Sequence, residues 1–541
     1  MKKFILKLYK PYFLLLLILI LASFLRIWKM WEWPLNTDES IFSTNIFEII
    51  KGNRPIDEPP AAYDPVAYTG QFTQYILLPS IFFFGNNLFF FRLPIVLVSI
   101  FSVLLLYMFA RKYYNENVAL FSAFILSIIP NVIINSSSAF EFPPIPFFIL
   151  LSFYLFQRYA EVRKARYLYL FSFVSGLAII TRLTFFFFLI PFLLLLKFNP
   201  IIPFEKLKKD FNKRNLIFIF LFFLLGSFPF VFWNFTHEFA TISFIAKDIP
   251  ITYAKENLYN VGDNLFNGFY GFIHYLDKWF RWSFDLDTEI NFLSIIFLLS
   301  LVTFILIPIK NSLKKVNSEF LRKNLYLLSI FFIILILKST LTLSWFERED
   351  YLMLYPFSSL IIGWSLNYAF NFYKDKKKII FLAVFLLIFS YLIVNYLSRI
   401  QTEILKLNGD DCYKIVPELL KINEIKNSSL IVLDTTTYYQ FFKFYEPKIN
   451  STNLVYQWYM IENFTKYYPQ VWENETSVLL NDKVSYVFVK EECKRYWDKS
   501  VNITENFMKF LTDHNKTLFL VKNVSLNNNE ILFRIYEIGG K

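Results

Sequence analysis

Residues 11–40, PYFLLLLILILASFLRIWKMWEWPLNTDES, decide the fold and also point to the chemistry. The run from Pro11 to Trp28 is almost wholly apolar and long enough to cross a bilayer. Two adjacent carboxylates, Asp38 and Glu39, follow directly behind this run. Charged groups at the mouth of a transmembrane helix are costly to leave near lipid, so the pair is a candidate for function. The alternative is that one of them caps the juxtamembrane helix that follows.

The composition extends this interpretation to most of the chain. Of its 541 residues, 56% are hydrophobic and 21% are aromatic, and the mean hydropathy is +0.42. A water-soluble protein of this size could not bury so much apolar surface, so the composition predicts a polytopic α-helical membrane protein. The net charge of +12 would suggest a nucleic acid partner in a soluble chain. Here the basic residues form short clusters between apolar runs, as in cytoplasmic loops, so we expect no nucleic acid.

About eleven apolar runs are long enough to be transmembrane helices. The segment 70–84 is also apolar, but it is short, contains Pro79 and ends at Gly85, so we expect a helix at the membrane interface. The predicted spans are 11–31, 93–110, 118–134, 143–158, 167–181, 183–197, 215–233, 292–309, 325–344, 352–370 and 380–398.

The basic clusters predict the orientation of these helices. All of them fall on one side of the membrane if 70–84 does not span. Because cytoplasmic loops carry an excess of Lys and Arg, this side is predicted to be cytoplasmic and to include the N-terminus. The loop 32–92, with its juxtamembrane helices, is then external. Asn-x-Ser/Thr acceptors fall on the side predicted to be external, as glycosylated residues would; the alternative is an Asn-rich chain without glycans. The clusters lie within 2–10, 111–112, 158–166, 206–214, 310–323 and 374–378. The acceptors are Asn135, Asn234, Asn427, Asn450, Asn463, Asn474, Asn502, Asn515 and Asn523.

The polar region after the last predicted span forms a second domain. We assign residues 1–398 to the membrane domain and 399–541 to a C-terminal extracytoplasmic α/β domain. Short apolar runs at 429–434, 484–489 and 517–521 indicate buried strands, and stretches such as Tyr413 to Ile425 indicate helices between them. Cys412 and Cys493 both lie in this domain, and the sequence leaves open whether they form a disulfide.

The order of these features resembles the GT-C superfamily of membrane glycosyltransferases. The resemblance is strongest to the branch that holds dolichyl-phosphate-mannose protein mannosyltransferases and the aminoarabinose transferases of lipid A. It begins with Asp38 and Glu39 behind the first helix and extends over residues 10–370. The further matching pieces are Phe84-Gly85, Arg92-Leu93-Pro94, Ser136 to Glu141, Gly176 to Arg182, and Arg348 to Tyr351 followed by Pro356.

The resemblance implies an inverting enzyme in the cell membrane or an ER-like membrane. It would transfer a sugar from a polyprenyl (dolichyl) phosphate donor to a hydroxyl group of a protein, glycan or lipid outside the cytoplasm. Asp38 matches the family's catalytic aspartate, and Glu39 is its neighbour. Partial desolvation raises the pKa of a carboxyl group, which suits a general base that takes the proton of the acceptor hydroxyl. A direct displacement inverts the anomeric centre, so it needs no second, nucleophilic carboxylate.

Four cations near external helix ends are candidates for binding the donor phosphate. Their charge could neutralise the negative charge that develops on the phosphate as it leaves. The alternative for each is that the side chain snorkels to the lipid headgroups. The four are Arg92, Arg182, Lys338 and Arg348.

Two further carboxylates are candidates for contact with the acceptor or a metal. Glu141 takes the place where relatives often carry an aspartate, and the alternative is a loop carboxylate held by the adjacent Pro143-Pro144. Asp64 lies in the first external loop, where Asp57-Glu58-Pro59-Pro60 replaces a His-x-Pro-Pro-like stretch of the family. A histidine-dependent metal site is therefore not expected there. No cofactor is predicted, and dependence on a divalent metal (Mg or Mn) is left open.

A transporter or flippase for lipid-linked saccharides is the alternative function. It would predict charged residues in mid-helix and paired halves with broken helices. The predicted helix centres are nearly free of charge, and the carboxylates cluster on one external face, so the enzyme is favoured. An oligosaccharyltransferase of the same superfamily would carry a Trp-Trp-Asp signature in its external domain, and none occurs after residue 399. The sequence identifies neither the sugar nor the acceptor.

Overall fold

The computed structural model describes residues 2–28, 30–31, 37–56, 70–202, 204–239, 241, 292–313, 318–341 and 352–373, parts of 377–401, and the strands given below. The chain divides into two compact units. One comprises Met1–Met30 and Pro55–Leu397, and the other comprises Trp31–Arg54 and Ser398–Lys541. The segment that carries Asp38 therefore groups with the C-terminal chain. The domain limits at 398 and 399 stay a prediction.

The first unit is built from α-helices. Of the described helices only α2 belongs to the second unit. In chain order they are α1 (Lys2–Ile27), α2 (Thr37–Ile50), α3 (Gln71–Phe84), α4 (Leu88–Tyr113), α5 (Glu116–Ile128), α6 (Pro130–Ser136), α7 (Ile145–Val162), α8 (Arg166–Thr181), α9 (Phe186–Leu194), α10 (Phe204–Asp210), α11 (Lys213–Gly226), α12 (Phe228–Thr236), α13 (Phe292–Leu313), α14 (Ser318–Leu341) and α15 (Tyr355–Phe372).

The long helix α4 packs against α1, α3, α5 and α7. It begins behind Asn87, whose side chain accepts hydrogen bonds from the backbone N–H groups of Phe89 (3.0 Å) and Phe90 (3.3 Å). This cap satisfies two donors that have no partner within the helix. Its 26 residues make it about 39 Å long. Phe91 near its start and Ala110 near its end are fully buried, so both ends of the helix lie within the packed unit.

By length and composition, two of the described helices could each cross a membrane, Leu88–Tyr113 and Glu319–Leu337. Two bent helix pairs raise this to as many as four if each pair is counted as one span. Shorter apolar helices include Pro11–Ile27, Arg166–Thr181, Leu183–Phe198 and Ile296–Lys310. The total of about eleven spans therefore stays a prediction. The helix expected over 70–84 is present as α3, while its place at the interface stays a prediction.

The bent pairs occupy two segments that the apolar runs predicted as single spans. The segment 118–134 divides into α5 and α6, which bend by 61°, and 215–233 divides into α11 and α12, which bend by 73°. Proline explains both bends, because Pro130 and Pro229 have no N–H to donate to the carbonyl four residues earlier. The apolar runs thus predicted these segments but not the bends in them.

A buried guanidinium fills the break between α5 and α6. Arg26, at the end of α1, is fully buried. Its Nη2 donates to the carbonyl oxygen of Leu126 (3.3 Å), which Pro130 leaves without its helical partner. Its Nη1 donates to the carbonyl oxygen of Ser127 (3.1 Å), and its Nε donates to Ser99 Oγ in α4 (2.8 Å). One cation thereby joins α1, α4 and α5, and no pattern in the sequence predicted this role.

Two glycines bring the backbones of α8 and α11 into contact. A Cβ atom at Gly176 would lie 2.5 Å from the carbonyl oxygen of Phe223, and one at Gly226 would lie 2.1 Å from that of Phe173. Neither position has room for a larger side chain. Gly176 belongs to the family-like segment that ends at Arg182, so this glycine serves helix packing and helps to fix the end of α8.

Four of the six basic clusters predicted to be cytoplasmic, those within 111–112, 158–166, 206–214 and 310–323, lie at one end of the first unit. Polar contacts there join the ends of α4 and α7, the region around α10, and the beginning of α14. This is the arrangement that the positive-inside pattern requires. Which side of the membrane this end faces stays a prediction. The contacts are Lys112–Glu161 (2.6 Å), Arg163–Asp210 (2.6 Å) and Tyr114–Asn324 (2.7 Å).

The second unit contains α2 and a five-stranded sheet of order β2-β1-β3-β5-β4. β1 pairs in parallel with β2 and β3, whereas β5 pairs in antiparallel fashion with β3 and β4. The predicted strands at 429–434, 484–489 and 517–521 coincide with β1, β3 and β4. The predicted helix Tyr413 to Ile425, Cys412 and Cys493 lie outside the described residues, so the α/β character stays a prediction. The strands are β1 (Ser429–Leu433), β2 (Ser451–Asn453), β3 (Val484–Lys490), β4 (Lys516–Ser525) and β5 (Ile531–Gly540).

Candidate active site

The carboxylates behind the first helix lie in the first turn of α2. Because α2 begins at Thr37, Asp38 and Glu39 are its second and third residues. The Glu39 side chain is fully buried, and a buried carboxylate needs ionic or hydrogen-bonding partners. Acidic groups in a first turn also stabilise a helix through its dipole, so the capping alternative fits this placement. The side chain of Asp38 lies outside the described residues, and its catalytic role stays a prediction.

Arg182 and Glu141, two of the predicted site residues, form an ion pair. Arg182 Nη1 donates to Glu141 Oε1. Only 6% of the Glu141 side chain and 25% of the Arg182 side chain are exposed. The guanidinium also lies over the ring of Phe142, 3.6 Å from its centroid, in a cation–π contact. The structure therefore holds this cation in one position while leaving part of it accessible.

Local backbone geometry explains how the two residues meet. Arg182 ends α8 with extended dihedral angles, φ −158° and ψ 131°, and its N–H bonds to the carbonyl of Ala178 (3.0 Å). Glu141 and Phe142 lie in the short connection between α6 and α7. The carbonyl of Phe142 accepts a hydrogen bond from the N–H of Ile145 (3.0 Å), the first residue of α7. The start of α7 thus fixes the carboxylate opposite the end of α8.

Arg92 is fully buried in the second turn of α4. Its Nη1 donates a hydrogen bond to the carbonyl of Met30, just beyond the end of α1. A guanidinium without solvent exposure is not snorkelling to lipid headgroups, so that alternative is wrong for Arg92. Arg92 instead fixes the point at which the chain leaves α1. Its role toward a donor phosphate stays a prediction.

Arg92, Glu141 and Arg182 lie at the same end of the first unit, opposite the basic clusters. Arg92 lies in the second turn of α4, and Arg111 is in its last turn, about 28 Å away along the helix axis. Glu141 precedes α7, whereas Arg163 follows it. Arg182 follows α8, whose first turn lies at the basic end. The chain therefore brings three of the candidate residues to one end of the helical unit.

The beginning of α3 is fixed beside Arg182. The N–H of Gly70 donates to the carbonyl of Thr181 (3.0 Å), the last residue of α8. Gly70 has φ 87°, in the left-handed region that glycine adopts without strain. The family-like stretch before it, residues 57–69 with Asp64, lies outside the described residues.

The other two predicted cations remain predictions. Arg348 lies outside the described residues, and Lys338 lies in α14 with its side chain undescribed. Among the residues that the structure does describe, no three His, Cys, Asp or Glu side chains lie together in a group that could hold a metal ion. Dependence on Mg or Mn stays open.

A buried polar network near this end was not predicted from the sequence. Asn131 Nδ2 donates to the hydroxyl of Tyr355 in α15 (2.7 Å), and Asn135 Nδ2 donates to Asn131 Oδ1 (2.8 Å). The available signal was two asparagines four residues apart within an apolar run, since such residues share one helix face. The network joins α6 to the start of α15.

Two of the predicted glycan acceptors are buried within the helical unit. Asn135 is 5% exposed and Asn234 is 2% exposed. The amide of Asn234 donates to the carbonyl of Phe230 (2.9 Å) within its own helix. In the folded chain neither amide is available to carry a bulky glycan. The acceptors in residues 401–541 have side chains that lie outside the described part of the chain.

Residues 71–233 match a family model described as dolichyl-phosphate-mannose-protein mannosyltransferase. The matched segment contains Arg92, Glu141 and Arg182 but not Asp38. No curated protein matches the chain in sequence.

Several solved structures share the fold. ArnT from Cupriavidus metallidurans in the apo state is similar with a TM-score of 0.59 and 10% identity, over 96% of this chain and 97% of ArnT. The same protein bound to undecaprenyl phosphate is similar with a TM-score of 0.57 and 11% identity, over 98% of both chains. A third similar structure is the archaeal oligosaccharyltransferase AglB from Archaeoglobus fulgidus in complex with an inhibitory peptide and a dolichol-phosphate. Its TM-score is 0.50 and its identity is 12%, over 90% of this chain and 70% of AglB. At these identities the likeness establishes the fold alone.

Proposed function

We propose that this chain is a membrane glycosyltransferase of the GT-C superfamily, and that it transfers a sugar from a polyprenyl phosphate to an acceptor hydroxyl with inversion. The match to the family model and the fold shared with ArnT support this proposal. The main support for the proposal is the position of Arg182, a partly exposed cation that is held by an ion pair with Glu141 and by contact with the Phe142 ring. Two proteins of similar fold were solved with such lipids, ArnT with undecaprenyl phosphate and AglB with a dolichol-phosphate. The description of the matching family model names dolichyl-phosphate-mannose.

In the proposed reaction one bond at the anomeric carbon replaces another. The acceptor oxygen attacks that carbon, the bond from the carbon to the phosphate oxygen breaks, and the acceptor proton passes to the carboxylate of Asp38. The donor is a phosphodiester with one negative charge, and the departing polyprenyl phosphate gains a second. A guanidinium already in place, such as that of Arg182, stabilises this developing charge without reorganisation.

The other predicted site residues have supporting roles in the proposed reaction. Arg92 is a positioning residue, because it binds the backbone from which the chain continues towards Asp38. Lys338 and Arg348 add positive charge for the phosphate. Glu39 stays with Asp38 as a catalytic carboxylate, and Glu141 and Asp64 are candidates for contact with the acceptor or a divalent metal.

We also propose that the Arg182 end of the helical unit faces the extracytoplasmic side. The support is the cluster of basic residues at the opposite end, because cytoplasmic loops carry an excess of Lys and Arg. Mannose is the first sugar to test, since the family description names it. A protein hydroxyl is the first acceptor to test for the same reason.

The test uses purified protein in liposomes with radiolabelled polyprenyl-phosphate mannose or glucose and a Ser/Thr-rich peptide. We expect transfer by the wild type and a loss of roughly 10²-fold or more for Asp38→Asn, with donor binding retained. Glu48→Gln, on the same helix, is the matched control, since Glu48 pairs with Lys51 at 3.8 Å on a partly exposed face. Equal transfer by Asp38→Asn and wild type would refute the catalytic assignment.

The same liposomes separate the enzyme from a transporter. The bends in α5/α6 and α11/α12 correspond to the broken helices that the transporter alternative predicted, alongside mid-helix charges and paired halves. A transporter would move the labelled lipid between leaflets and form no glycosylated product. Lipid movement without product, in wild type and Asp38→Asn alike, would therefore favour the transporter.

A further inference from the structure

The buried face of α3 changes from polar to apolar along the helix. Gln71, Thr73 and Gln74, all in the first turn, are fully buried, and Leu77 and Ile81 continue the buried face towards the other end. An apolar sequence such as this one could have supplied apolar residues at all of these positions. Polar side chains buried in a helical membrane unit are expensive and mark functional positions.

Two of these side chains have no hydrogen-bond partner in the part of the chain that the structure describes. Neither amide atom of Gln71, nor the hydroxyl of Thr73, is bonded there. The hydroxyl of Thr184, two residues beyond Arg182, is also buried and has no hydrogen-bond partner among the described residues. Buried polar groups are nearly always hydrogen-bonded, so these groups, which have no partner among the described residues, are candidates to bind a ligand.

The unmet groups lie next to the cation that the proposed function assigns to the donor phosphate. The bond from the Gly70 N–H to the carbonyl of Thr181 (3.0 Å) fixes the first turn of α3 against the end of α8. Gln71 directly follows Gly70, and Arg182 directly follows Thr181. The polar turn and the guanidinium therefore flank the same backbone contact.

The chemistry of the unmet groups favours a hydroxylated ligand over a phosphate. A carboxamide offers both a donor and an acceptor, whereas a phosphate oxygen in its ionised form only accepts. A phosphate would leave Gln71 Oε1 unbonded. A sugar hydroxyl both donates and accepts, so it can satisfy an amide or a threonine hydroxyl from either side. We propose that Gln71 and Thr73 bind hydroxyl groups of the donor's sugar ring.

This inference rests on the proposed function, because it takes Arg182 as the phosphate site. In a polyprenyl-phosphate sugar the ring is joined to the phosphate through the anomeric carbon, so its hydroxyls must lie near whatever group holds the phosphate. An acceptor hydroxyl has the same chemistry as a donor hydroxyl. The test therefore omits the acceptor.

The experiment compares binding of two lipids of equal chain length, polyprenyl phosphate and polyprenyl-phosphate mannose, to the full-length protein in nanodiscs. We expect the wild type to bind the sugar-bearing lipid more tightly. Gln71→Leu and Thr73→Val should each reduce this preference, roughly tenfold for Gln71→Leu, and leave the affinity for bare polyprenyl phosphate unchanged. Arg182→Ala should weaken the binding of both lipids.

Gln157→Leu is the matched control. Gln157 in α7 is also a buried glutamine with an unbonded Oε1, but it lies towards the basic end of the unit. The control should change neither affinity. Thermal unfolding without lipid gives a second measurement: Gln71→Leu should raise the Tm, because it removes a buried amide that has no partner in the free protein.

Four results would overturn the proposal. Unchanged preference for the sugar-bearing lipid in both variants would show that these side chains do not contact the sugar. An equal loss of affinity for both lipids, or a lower Tm of Gln71→Leu, would indicate a structural role instead. If the wild type binds neither lipid, the proposed function fails, and the sugar subsite fails with it.

Discussion

The guanidinium of Arg182 lies 3.6 Å from the centroid of the Phe142 ring and binds the carboxylate of the adjacent residue Glu141. One short connection between two helices thus supplies both an aromatic face and a counter-charge to one cation. A guanidinium that is held by such neighbours loses little further freedom when it binds an anion. This relationship fixes the cation independently of any ligand, which is what a preorganised phosphate site needs.

The Arg182–Glu141 pair should show strong coupling in unfolding measurements. Arg182→Ala should lower the free energy of unfolding by about 3 kcal/mol, because it removes the cation beside a buried carboxylate. The double variant with Glu141→Ala should recover part of that loss, since no charge is then left uncompensated. Chemical denaturation in detergent of the two single variants and the double variant gives the coupling free energy.

The pair Arg111–Glu116 provides the control for this cycle. Its atoms lie 2.6 Å apart, but the side chains are 40% and 30% exposed. Solvent screening should limit their coupling to less than about 1 kcal/mol. Equal coupling in the two pairs would contradict the view that burial makes the Arg182–Glu141 pair distinctive.

Arg26 should be essential for the stability of the helical unit. Arg26→Met should lower the free energy of unfolding by about 3 kcal/mol or more, because it leaves the carbonyls of Leu126 and Ser127 without donors inside the unit. Arg26→Lys should lose less, since it retains a donor but not the fork geometry. Unfolding of the purified variants in detergent measures the loss.

A compensating substitution tests the reason given for Arg26. Pro130→Ala restores a backbone N–H that can donate to the carbonyl of Leu126. Combined with Arg26→Met, it should recover part of the stability, and alone it should change little. If Pro130→Ala gives no recovery, the guanidinium does not act by filling the helix break.

The contact between α8 and α11 should not tolerate a methyl group. Gly226→Ala would place a Cβ atom 2.1 Å from the carbonyl oxygen of Phe173, so the helices must separate, at a cost of about 1–3 kcal/mol. Because α8 ends at Arg182, donor affinity should fall as well. Leu225→Ala is the control, since this neighbour is 60% exposed. A Tm of Gly226→Ala equal to that of the control would show that the helices do not touch there.

Long apolar runs allowed the helices of the first unit to be predicted, because burial in lipid or in a helical core requires the same uninterrupted hydrophobicity. The bends in α5/α6 and α11/α12 were not predicted, although Pro130 and Pro229 lie at them. The contacts of Arg26 depend on residues about 100 positions away, and no local pattern reports such a contact. The pairing of Arg182 with Glu141 was likewise hidden, although both residues were candidates for the site. Gln71 and Thr73 were missed because a polar turn at the start of an apolar helix resembles an ordinary helix beginning.

Asn135 and Asn234 should carry no glycan, although both lie in acceptor sequences. Each is buried, and the amide of Asn135 is bonded to Asn131. We expect mass spectrometry of protein expressed in a glycosylating host to find both peptides unmodified. A variant extended beyond Lys541 by an exposed Asn-Gly-Thr acceptor is the control, and its modification would also report an external C-terminus. A glycan on Asn135 or Asn234 would mean that α6 or α12 packs differently, because a sugar on either amide cannot coexist with the hydrogen bonds described for it.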